Sequence, residues 1–391
     1  NGKVPEGFQN LLTKEQWIGV LEFVKAIDGK LLLSVANCPG IHKADEPYPL
    51  EQAELIFSFS KEYGVPISAA EFTNEPNMMV MSGLPEGYTA EDHARDHDIF
   101  GAWLKENYPE CLFVGPCTVG DINLFNIDMD QAGGGIASAL EMVTTEELLG
   151  DQKVKMDVFS YHYYNGVSER GAAMGGHWPE SACLTEQYLA TAASCARQYI
   201  DRRNRYVPGG QMWVTESGDA GCGGNTWAPT YLDVPRTLNE LGEFSTVTDG
   251  IIFHNTLASS AYGFLEHGTF LPRPNYFAVL LWNRLMGKEV YATGEAIREG
   301  AHVYAHSRKD GKDGLVYLVI NNSRTDTTDV ELPKEAVAYV LEGQGKLRSR
   351  VMTLNGKPLT LGENDELPEL KGETVSGRVT LNPGSCAFFV L

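Results

Sequence analysis

The segment that decides the fold is Pro66-Ile67-Ser68-Ala69-Ala70-Glu71-Phe72-Thr73-Asn74-Glu75-Pro76-Asn77. An apolar run of strand length ends at Phe72, and Glu75 follows almost at once. A second segment, Met212-Trp213-Val214-Thr215-Glu216-Ser217-Gly218, likewise places Glu216 at the end of a strand-like run. Each glutamate, taken alone, could be an ordinary polar residue that caps the next helix. The repeated context instead favours two carboxyl groups delivered from the ends of different strands.

Apolar runs of strand length alternate with helical patterns up to about residue 290. The predicted strands are Lys30–Ala36, Pro66–Phe72, Leu112–Pro116, Met156–Tyr163, Gln211–Thr215 and Gly250–His254. The predicted helices are Thr13–Ala26, Leu50–Tyr63, Thr89–Glu106, Thr185–Arg203 and Val234–Glu243. Near-continuous apolar strands separated by helices predict parallel βαβ units with both sheet faces covered. A (β/α)8 barrel is the natural closure of such units, with its chemistry at the carboxyl ends of the strands.

From residue 300 the pattern changes to short alternating strands separated by turn dipeptides such as Asn355-Gly356. These strands are predicted at Ala301–Ser307, Gly314–Asn321, Thr327–Leu332, Ala338–Glu342, Val351–Leu354, Gly377–Leu381 and Ala387–Leu391. The pattern predicts an antiparallel β-sandwich. We therefore expect an α/β barrel domain over residues 1–295 and a β-sandwich accessory domain over 296–391.

Two strand-end carboxyl groups are what glycoside hydrolysis requires, since one must donate a proton to the leaving oxygen and the other must be ionised at the anomeric carbon. The composition agrees with a globular enzyme that does not bind nucleic acid, because 31 Lys and Arg against 52 Asp and Glu give a net charge of −21. No apolar run reaches the eighteen or so residues of a membrane span.

Two patterns suggest metal sites only weakly. His93 and His97 have the helical spacing of a zinc pair, but no glutamate base or third ligand accompanies them. Asp310-Gly311-Lys312-Asp313-Gly314 lacks the terminal glutamate of a calcium loop and predicts a hairpin turn. We expect no metal and no cofactor. Seven cysteines are too few for a disulfide scaffold, and Cys111 and Cys117 flank one strand, which would hold them apart.

The chain resembles the heparanase and β-glucuronidase family, glycoside hydrolase family 79 of clan A, nearly from end to end. The segments that carry the resemblance are Leu31–Asn37, Asn74-Glu75-Pro76-Asn77, Tyr161-His162-Tyr163-Tyr164-Asn165-Gly166, Leu271-Pro272-Arg273-Pro274-Asn275-Tyr276-Phe277, Leu354-Asn355-Gly356 and Cys386–Val390. The resemblance implies that Glu75 is the acid/base after the fourth barrel strand and Glu216 the nucleophile that ends the seventh.

In this chain the two glutamates follow the second and fifth predicted strands. The first two barrel strands are therefore expected to come from outside this sequence, from an N-terminal segment or a small companion subunit, because open strand edges invite pairing. The resemblance also implies a secreted, periplasmic or lysosomal-type compartment.

The resemblance implies further substrate-binding residues. Asn74 is similar to the residue that contacts the sugar 2-hydroxyl, although an Asn here can simply form a turn. Tyr161, His162 and Tyr163 could orient Glu216 or line the sugar pocket, or could form a core cluster; Tyr161 stands where the family tends to have histidine.

A glycine loop and a downstream tyrosine match the positions at which the family recognises a uronate carboxylate. These residues are Gly223, Gly224 and Tyr262. The match departs from the family pattern at Gly221-Cys222, and a glycine pair can also be a mere turn.

The expected function is therefore a retaining β-glycosidase that acts on β-linked uronides, such as glucuronides or glycosaminoglycan-type oligosaccharides. A clan-A glycosidase of neutral or hyaluronan-type specificity is the alternative within enzymes. A catalytically silent glycan-binding relative is the alternative from another class, and such a protein should have lost one of the two carboxyl groups.

Overall fold

A computed structural model of the chain describes residues 4, 10–120, 142–293 and 298–391. The chain folds into two compact units. The first consists of Asn1–His162, Gln198–Thr215 and Asp249–Ile251, and the second of Tyr163–Arg197, Glu216–Thr248 and Ile252–Leu391. The predicted domain boundary at residues 295 and 296 lies outside the described residues.

Six strands form one sheet in chain order, as the alternating pattern predicted. They are β1 (Leu32–Val35), β2 (Ala69–Phe72), β3 (Leu112–Val119), β4 (Val158–Tyr164), β5 (Gln211–Gly218) and β6 (Ile252–His254). The pairings of β1 with β2, β2 with β3 and β3 with β4 are parallel. The six predicted strands before residue 290 are thus confirmed, with shifts of a few residues at their ends.

Helices connect these strands. They are α1 (Lys14–Ala26), α2 (Glu51–Glu62), α3 (Ala90–Asn107), α4 (Thr145–Leu149), α5 (Glu186–Leu189), α6 (Thr191–Tyr206), α7 (Asp233–Val247) and α8 (Pro274–Leu285). Thr13, Thr89 and Thr144 each start a helix through a capping box with the residue three positions on. The single helix predicted over Thr185–Arg203 is two helices, with a break at Ala190. Helix α8 was not predicted, although Pro274 occupies its first turn, where proline is favoured.

The core of the first unit explains the histidine pair on α3. His93 and His97 are buried, and their rings pack against Phe72 and, at 4.6 Å between centroids, against Phe113. Burial lowers the pKa of His97 to about 3, so this imidazole is neutral at ordinary pH. Both residues therefore lie in an aromatic core under the sheet.

The second unit contains antiparallel sheets, as predicted for the C-terminal part. Their strands are β7 (Met286–Tyr291), β8 (His302–Arg308), β9 (Leu315–Ile320), β10 (Thr328–Glu331), β11 (Ala336–Glu342), β12 (Thr353–Leu354), β13 (Lys357–Pro358), β14 (Glu373–Val375), β15 (Arg378–Leu381) and β16 (Cys386–Val390). Eight of them form one sheet, and β10 pairs with β15 in a second. Asp310–Gly314 joins β8 to β9, which confirms the predicted hairpin turn.

Alternation along β9 and β16 builds two apolar layers. Leu318 and Phe388 pack with Val234 and Leu281 of the helices α7 and α8. The intervening residues on the opposite face, such as Phe389, pack in a second cluster that includes residues of β10 and β15. The eight-stranded sheet is thereby covered by helices on one face and by a β-ribbon on the other. No described helix has the length and apolarity that a membrane crossing requires.

Candidate active site

Neither of the two glutamates singled out from the sequence occupies a helix-capping position. Helix α3 begins at Ala90, well after Glu75, and α7 begins at Asp233, well after Glu216. Glu75 follows β2 in a turn, whereas Glu216 lies within β5. The alternative that each simply caps the next helix is therefore excluded.

Unusual backbone geometry turns the chain after β2. Thr73 and Glu75 have positive φ values of 61° and 46°, which are rare for residues other than glycine. The buried side chain of Asn77 fixes this turn, because its Oδ1 accepts from the N–H of Val119 at 3.0 Å and its Nδ2 donates to the Val119 carbonyl. The second asparagine of the Asn-Glu-Pro-Asn motif thus ties the turn to the end of β3.

A buried chain of polar side chains leads to Glu75 in the first unit. Nδ1 of His162 lies 2.8 Å from Oε1 of Glu75, and Nε2 of His162 lies 3.0 Å from Sγ of Cys117. The Cys117 thiol donates to Oε2 of Glu71 at 3.2 Å, and the Ser34 hydroxyl donates to the same oxygen at 2.9 Å. One hydrogen-bonded path therefore crosses four strands and ends at the predicted acid/base residue.

The same hydrogen-bonded path affects the protonation states of Cys117 and His162. Burial raises the pKa of the Cys117 thiol to about 12, with a further contribution from Glu71. Burial alone would lower the pKa of His162, but Cys117 and Glu75 raise it well above its usual value. The thiol is therefore protonated, and the imidazole readily holds a proton that it can share with Glu75.

Ligand-type atoms of Glu71, Cys117 and His162 lie within 4.8 Å of one another, a set that could hold a metal ion. Their separations of 3.0 and 3.2 Å are ordinary distances for hydrogen bonds to sulfur. We therefore assign hydrogen bonds to these contacts.

The pleat of β4 separates the residues of the Tyr-His-Tyr-Tyr run. Tyr161 stacks on Tyr199 at 4.3 Å between ring centroids, and Tyr163 hydrogen-bonds Thr191 of α6. His162 and Tyr164 point to the other face, because side chains alternate along a strand. The structure thus places His162 beside Glu75, whereas Tyr161 and Tyr163 contact Tyr199 and Thr191, as in the core cluster that the sequence left open as an alternative.

In the second unit, Oε1 of Glu216 accepts two hydrogen bonds. The Tyr164 hydroxyl donates to it, and Nδ2 of Asn255 donates to it at 2.9 Å. Burial raises the pKa of Tyr164, and the neighbouring charge of Glu216 raises it further, so the phenol remains a donor. Two neutral donors on one carboxylate oxygen fix the orientation of Glu216.

Tyr262 stands beside this group and is fixed through its backbone. Its hydroxyl lies 3.3 Å from Nδ2 of Asn255, and its carbonyl accepts from Nε2 of His254 at 2.6 Å and from Nδ2 of Asn275 at 3.3 Å. Burial lowers the pKa of His254 to about 4, so that imidazole is neutral and donates through Nε2–H. The phenol predicted to contact a uronate thus lies one hydrogen bond away from a residue that also holds Glu216.

The glycine loop packs against Tyr262 in a left-handed conformation. Cys222, Gly223 and Gly224 have φ values of 59°, 84° and 78°. The N–H of Gly224 donates to the Ala220 carbonyl at 3.1 Å. This N–H is therefore engaged within the loop, whereas the sequence predicted that it would face a ligand. Among the residues that the structure describes, the N–H of Gly223 has no protein acceptor.

Arg170 is a further member of this loop region. Its Nη1 donates to the Cys222 carbonyl at 3.0 Å, and a Cβ added at Gly223 would collide with its guanidinium. The guanidinium of Arg170 and the N–H of Gly223 are therefore two donors that lie next to each other.

Asn74, the remaining predicted residue, is exposed at the end of β2.

Several of the residues that make these contacts were not predicted from the sequence. The missed residues are Glu71, Cys117, Tyr164, Arg170 and Asn255. Of these, Tyr164 had a detectable signal, because it stands two residues after His162 on the same strand face. The others contact their partners across large gaps in sequence that no local pattern reveals.

The loop geometry makes a prediction about Gly224→Ala. A Cβ at this position would lie 2.8 Å from Cδ1 of Tyr262 and 2.9 Å from Oδ1 of Asp219. Gly209→Ala is the matched control, since Gly209 has a φ of 79° and no heavy atom within 4 Å of an added Cβ. We expect the control to lose about 1–2 kcal/mol of unfolding free energy from the left-handed backbone alone, and Gly224→Ala to lose clearly more. Urea unfolding measures both, and equal losses would contradict the close packing of Gly224 on Tyr262.

Comparison with known proteins identifies relatives over most of the chain. No protein-family model matches it. It is 26% identical over 378 residues to heparanase-like protein 1 of Arabidopsis thaliana, which covers 86% of this chain and 65% of that protein. Baicalin-β-D-glucuronidase of Scutellaria baicalensis is 25% identical over 296 residues, covering 73% of this chain and 51% of that protein. Hyaluronoglucuronidase of Hirudo nipponia is 25% identical over 411 residues, covering 98% of this chain and 77% of that protein.

The chain spans between half and two thirds of the length of the first three curated relatives that it matches.

Solved structures agree on the fold. A 4-O-α-L-rhamnosyl-β-D-glucuronidase from Fusarium oxysporum superposes with a TM-score of 0.62 at 15% identity, over 95% of this chain and 79% of that one. A family 51 α-L-arabinofuranosidase from Thermotoga petrophila gives 0.61 at 16% identity, over 97% and 78%. The chain is therefore a relative of the heparanase and β-glucuronidase family, glycoside hydrolase family 79.

Proposed function

We propose that this chain is the catalytic part of a retaining β-glycoside hydrolase that acts on β-linked uronides, with Glu216 as nucleophile and Glu75 as acid/base. The observation that carries this proposal is the pair of donors, Tyr164 and Asn255, on one oxygen of Glu216. Such donors hold the carboxylate in one orientation, as a nucleophile requires. The names of the relatives support the substrate class.

Glu216 would attack the anomeric carbon and form a covalent glycosyl-enzyme. The bond to the leaving oxygen breaks as the carboxylate bond forms, and water later releases the sugar with retained configuration. The Tyr164 and Asn255 donors stay in place through both steps because each is held by other contacts, Tyr164 on β4 and Asn255 through its N–H to the Ser217 carbonyl at 2.7 Å.

Glu75 would supply the proton to the leaving oxygen and later take one from water. His162 supports this role, because its Nδ1 lies 2.8 Å from Oε1 and can share a proton with the carboxyl group. The side chain of Glu75 is 15% exposed, so it is accessible while its partner His162 is 2% exposed. A general acid needs such access, because the leaving oxygen must come within hydrogen-bonding distance of its proton.

A hyaluronan-type endo-hydrolase is the second candidate. It is favoured by the alignment with the leech hyaluronoglucuronidase, which covers 98% of this chain. Hydrolysis of hyaluronan oligosaccharides with internal cleavage products would support this candidate. Release of single terminal uronate residues from short glycosides would support exo-action.

The roles of the two glutamates predict different responses to amide substitution. Glu216→Gln should reduce turnover of every aryl β-glycoside by several orders of magnitude, because no covalent intermediate can form. Glu75→Gln should spare substrates with very good leaving groups, which need little protonation. Glu266→Gln, which removes an exposed ion pair with Arg350, is the control and should change neither.

Steady-state kinetics on dinitrophenyl and phenyl glycosides of one sugar measure these effects, and NMR of the first-formed anomer reports retention. In an experimental structure the two carboxyl groups should lie about 5–5.5 Å apart. Inversion of configuration, or a separation near 9 Å, would rule out the covalent mechanism.

Uronate recognition predicts a preference between two matched substrates. Tyr262, the N–H of Gly223 and the guanidinium of Arg170 are donors that suit a carboxylate. We expect kcat/KM for an aryl β-glucuronide to exceed that for the β-glucoside by at least tenfold, since the glucoside would leave these donors unpaired. Tyr262→Phe should lower this ratio, whereas Tyr304→Phe, whose hydroxyl bonds Asn239 in the same unit, should not.

Equal kcat/KM values for the two sugars, or a preference for the glucoside, would remove uronate from the proposal. The two-glutamate mechanism would still stand, because it does not depend on the sugar's C6 group.

We also propose that two further barrel strands, from a segment or subunit outside this sequence, pair with β1. Within the described residues, β1 pairs only with β2. In hydrogen–deuterium exchange of the enzyme purified from its native source, amides of Leu32–Val35 should be protected about as well as those of Ala69–Phe72. Rapid exchange confined to β1, with no second polypeptide in the preparation, would contradict this proposal.

A further inference from the structure

The buried path behind Glu75 contains a cysteine that the proposed mechanism does not yet use. Cys117 has 0% exposure and lies between His162 and Glu71, with its sulfur 3.0 Å from Nε2 and 3.2 Å from Oε2. A buried cysteine usually packs as a small apolar residue. Here it makes two hydrogen bonds to titratable groups, which indicates that its polarity is used.

The backbone at Cys117 is bent to deliver this side chain. The register between β3 and β4 shifts between Pro116 and Thr118, and Cys117 has a φ of 61°. Such a bulge re-aims one side chain, and left-handed backbone is costly for a residue with a Cβ. Glycine would relieve that cost, so the presence of cysteine indicates a function for the sulfur.

The direction of each hydrogen bond follows from the number of protons. A thiol has one proton, and Cys117 donates it to Glu71, which also accepts from Ser34. Towards His162 the sulfur can then only accept, so Nε2 must carry a proton. Nδ1 is left to face Glu75 and is the atom through which the imidazole and the carboxyl group share one proton.

We propose that Cys117 is a positioning residue for proton donation, because its thiol, anchored on Glu71, fixes the tautomer and orientation of His162 and so holds Nδ1 against Glu75. This inference rests on the proposed function of Glu75 as acid/base. Cys117 acts through His162 and does not contact the substrate. Its loss should therefore affect the proton-donating step and leave nucleophilic attack by Glu216 intact.

The test uses Cys117→Ala and Cys117→Ser in the full chain. Alanine removes the hydrogen bonds of the sulfur to Glu71 and His162, together with the 4.0 Å contact from the Thr215 hydroxyl, whereas serine keeps a donor and an acceptor on a shorter side chain. Cys111→Ala is the matched control, because Cys111 is also buried and immediately precedes the same strand, where its sulfur only approaches the Leu112 carbonyl at 3.9 Å. Thermal melting of all three variants verifies folding.

The readout is kcat/KM for two aryl glycosides of the same sugar, one with a poor and one with an activated leaving group. We expect Cys117→Ala to lower the value for the phenyl glycoside roughly tenfold or more, part of the 10²–10⁴-fold that general acid catalysis provides. The dinitrophenyl glycoside should change by no more than about twofold, since it needs little proton donation. Cys117→Ser should fall between wild type and alanine, and Cys111→Ala should match wild type.

Equal losses on both glycosides would indicate a merely structural role and overturn the proposal, as would unchanged activity on the phenyl glycoside. If the wild-type protein cleaves neither glycoside, the proposed function fails instead.

Nitrogen-15 NMR of the histidines then tests the inference on its own. The Nε2 signal of His162, assigned with His162→Gln, should be that of a protonated nitrogen in wild type and should shift in Cys117→Ala. An unprotonated Nε2 in wild type would overturn the positioning role regardless of activity.

Discussion

The alternation of side chains along β4 is the constraint on which the contacts of each glutamate depend. His162 and Tyr164 share one face of the strand, where the first contacts Glu75 and the second contacts Glu216. Tyr161 and Tyr163 occupy the other face and pack towards Tyr199 and Thr191. A slip of one residue would exchange the two faces. Apolar burial on one face of β4 therefore fixes the polar contacts on the other.

Strained backbone accompanies these polar contacts. Thr73, Glu75, Cys117 and Cys222 all have positive φ without being glycine. Such conformations persist only where surrounding contacts hold them. The hydrogen bonds between Asn77 and Val119 support the turn at Glu75. The Ser160 hydroxyl supports Cys117 by accepting a hydrogen bond from its N–H at 3.1 Å. Part of the stabilisation from these contacts therefore offsets the backbone cost of holding the side chains in their orientations.

The sequence allowed most of the architecture to be predicted, because strand composition and helix caps are local signals. All six strands of the first sheet and the hairpin at Asp310 are of this kind. The two glutamates were also found locally, from their place after apolar runs. The partners of these glutamates depend on contacts between distant segments, such as Asn255 with Glu216 and Cys117 with His162. Only the three-dimensional structure reveals those pairs, and it also shows that the N–H of Gly224 is used within its own loop.

The exposure of the cysteines has a practical consequence for studying the glycine loop. Six of the seven cysteines are buried, and Cys222 is exposed. Its neighbours Gly223 and Gly224 adjoin Tyr262 and Arg170. A maleimide fluorophore or spin label applied to the native protein would therefore attach at one position without any engineered cysteine. The chain thus offers a natural reporter through which the proposed binding of a sugar at this loop can be followed optically or by electron paramagnetic resonance.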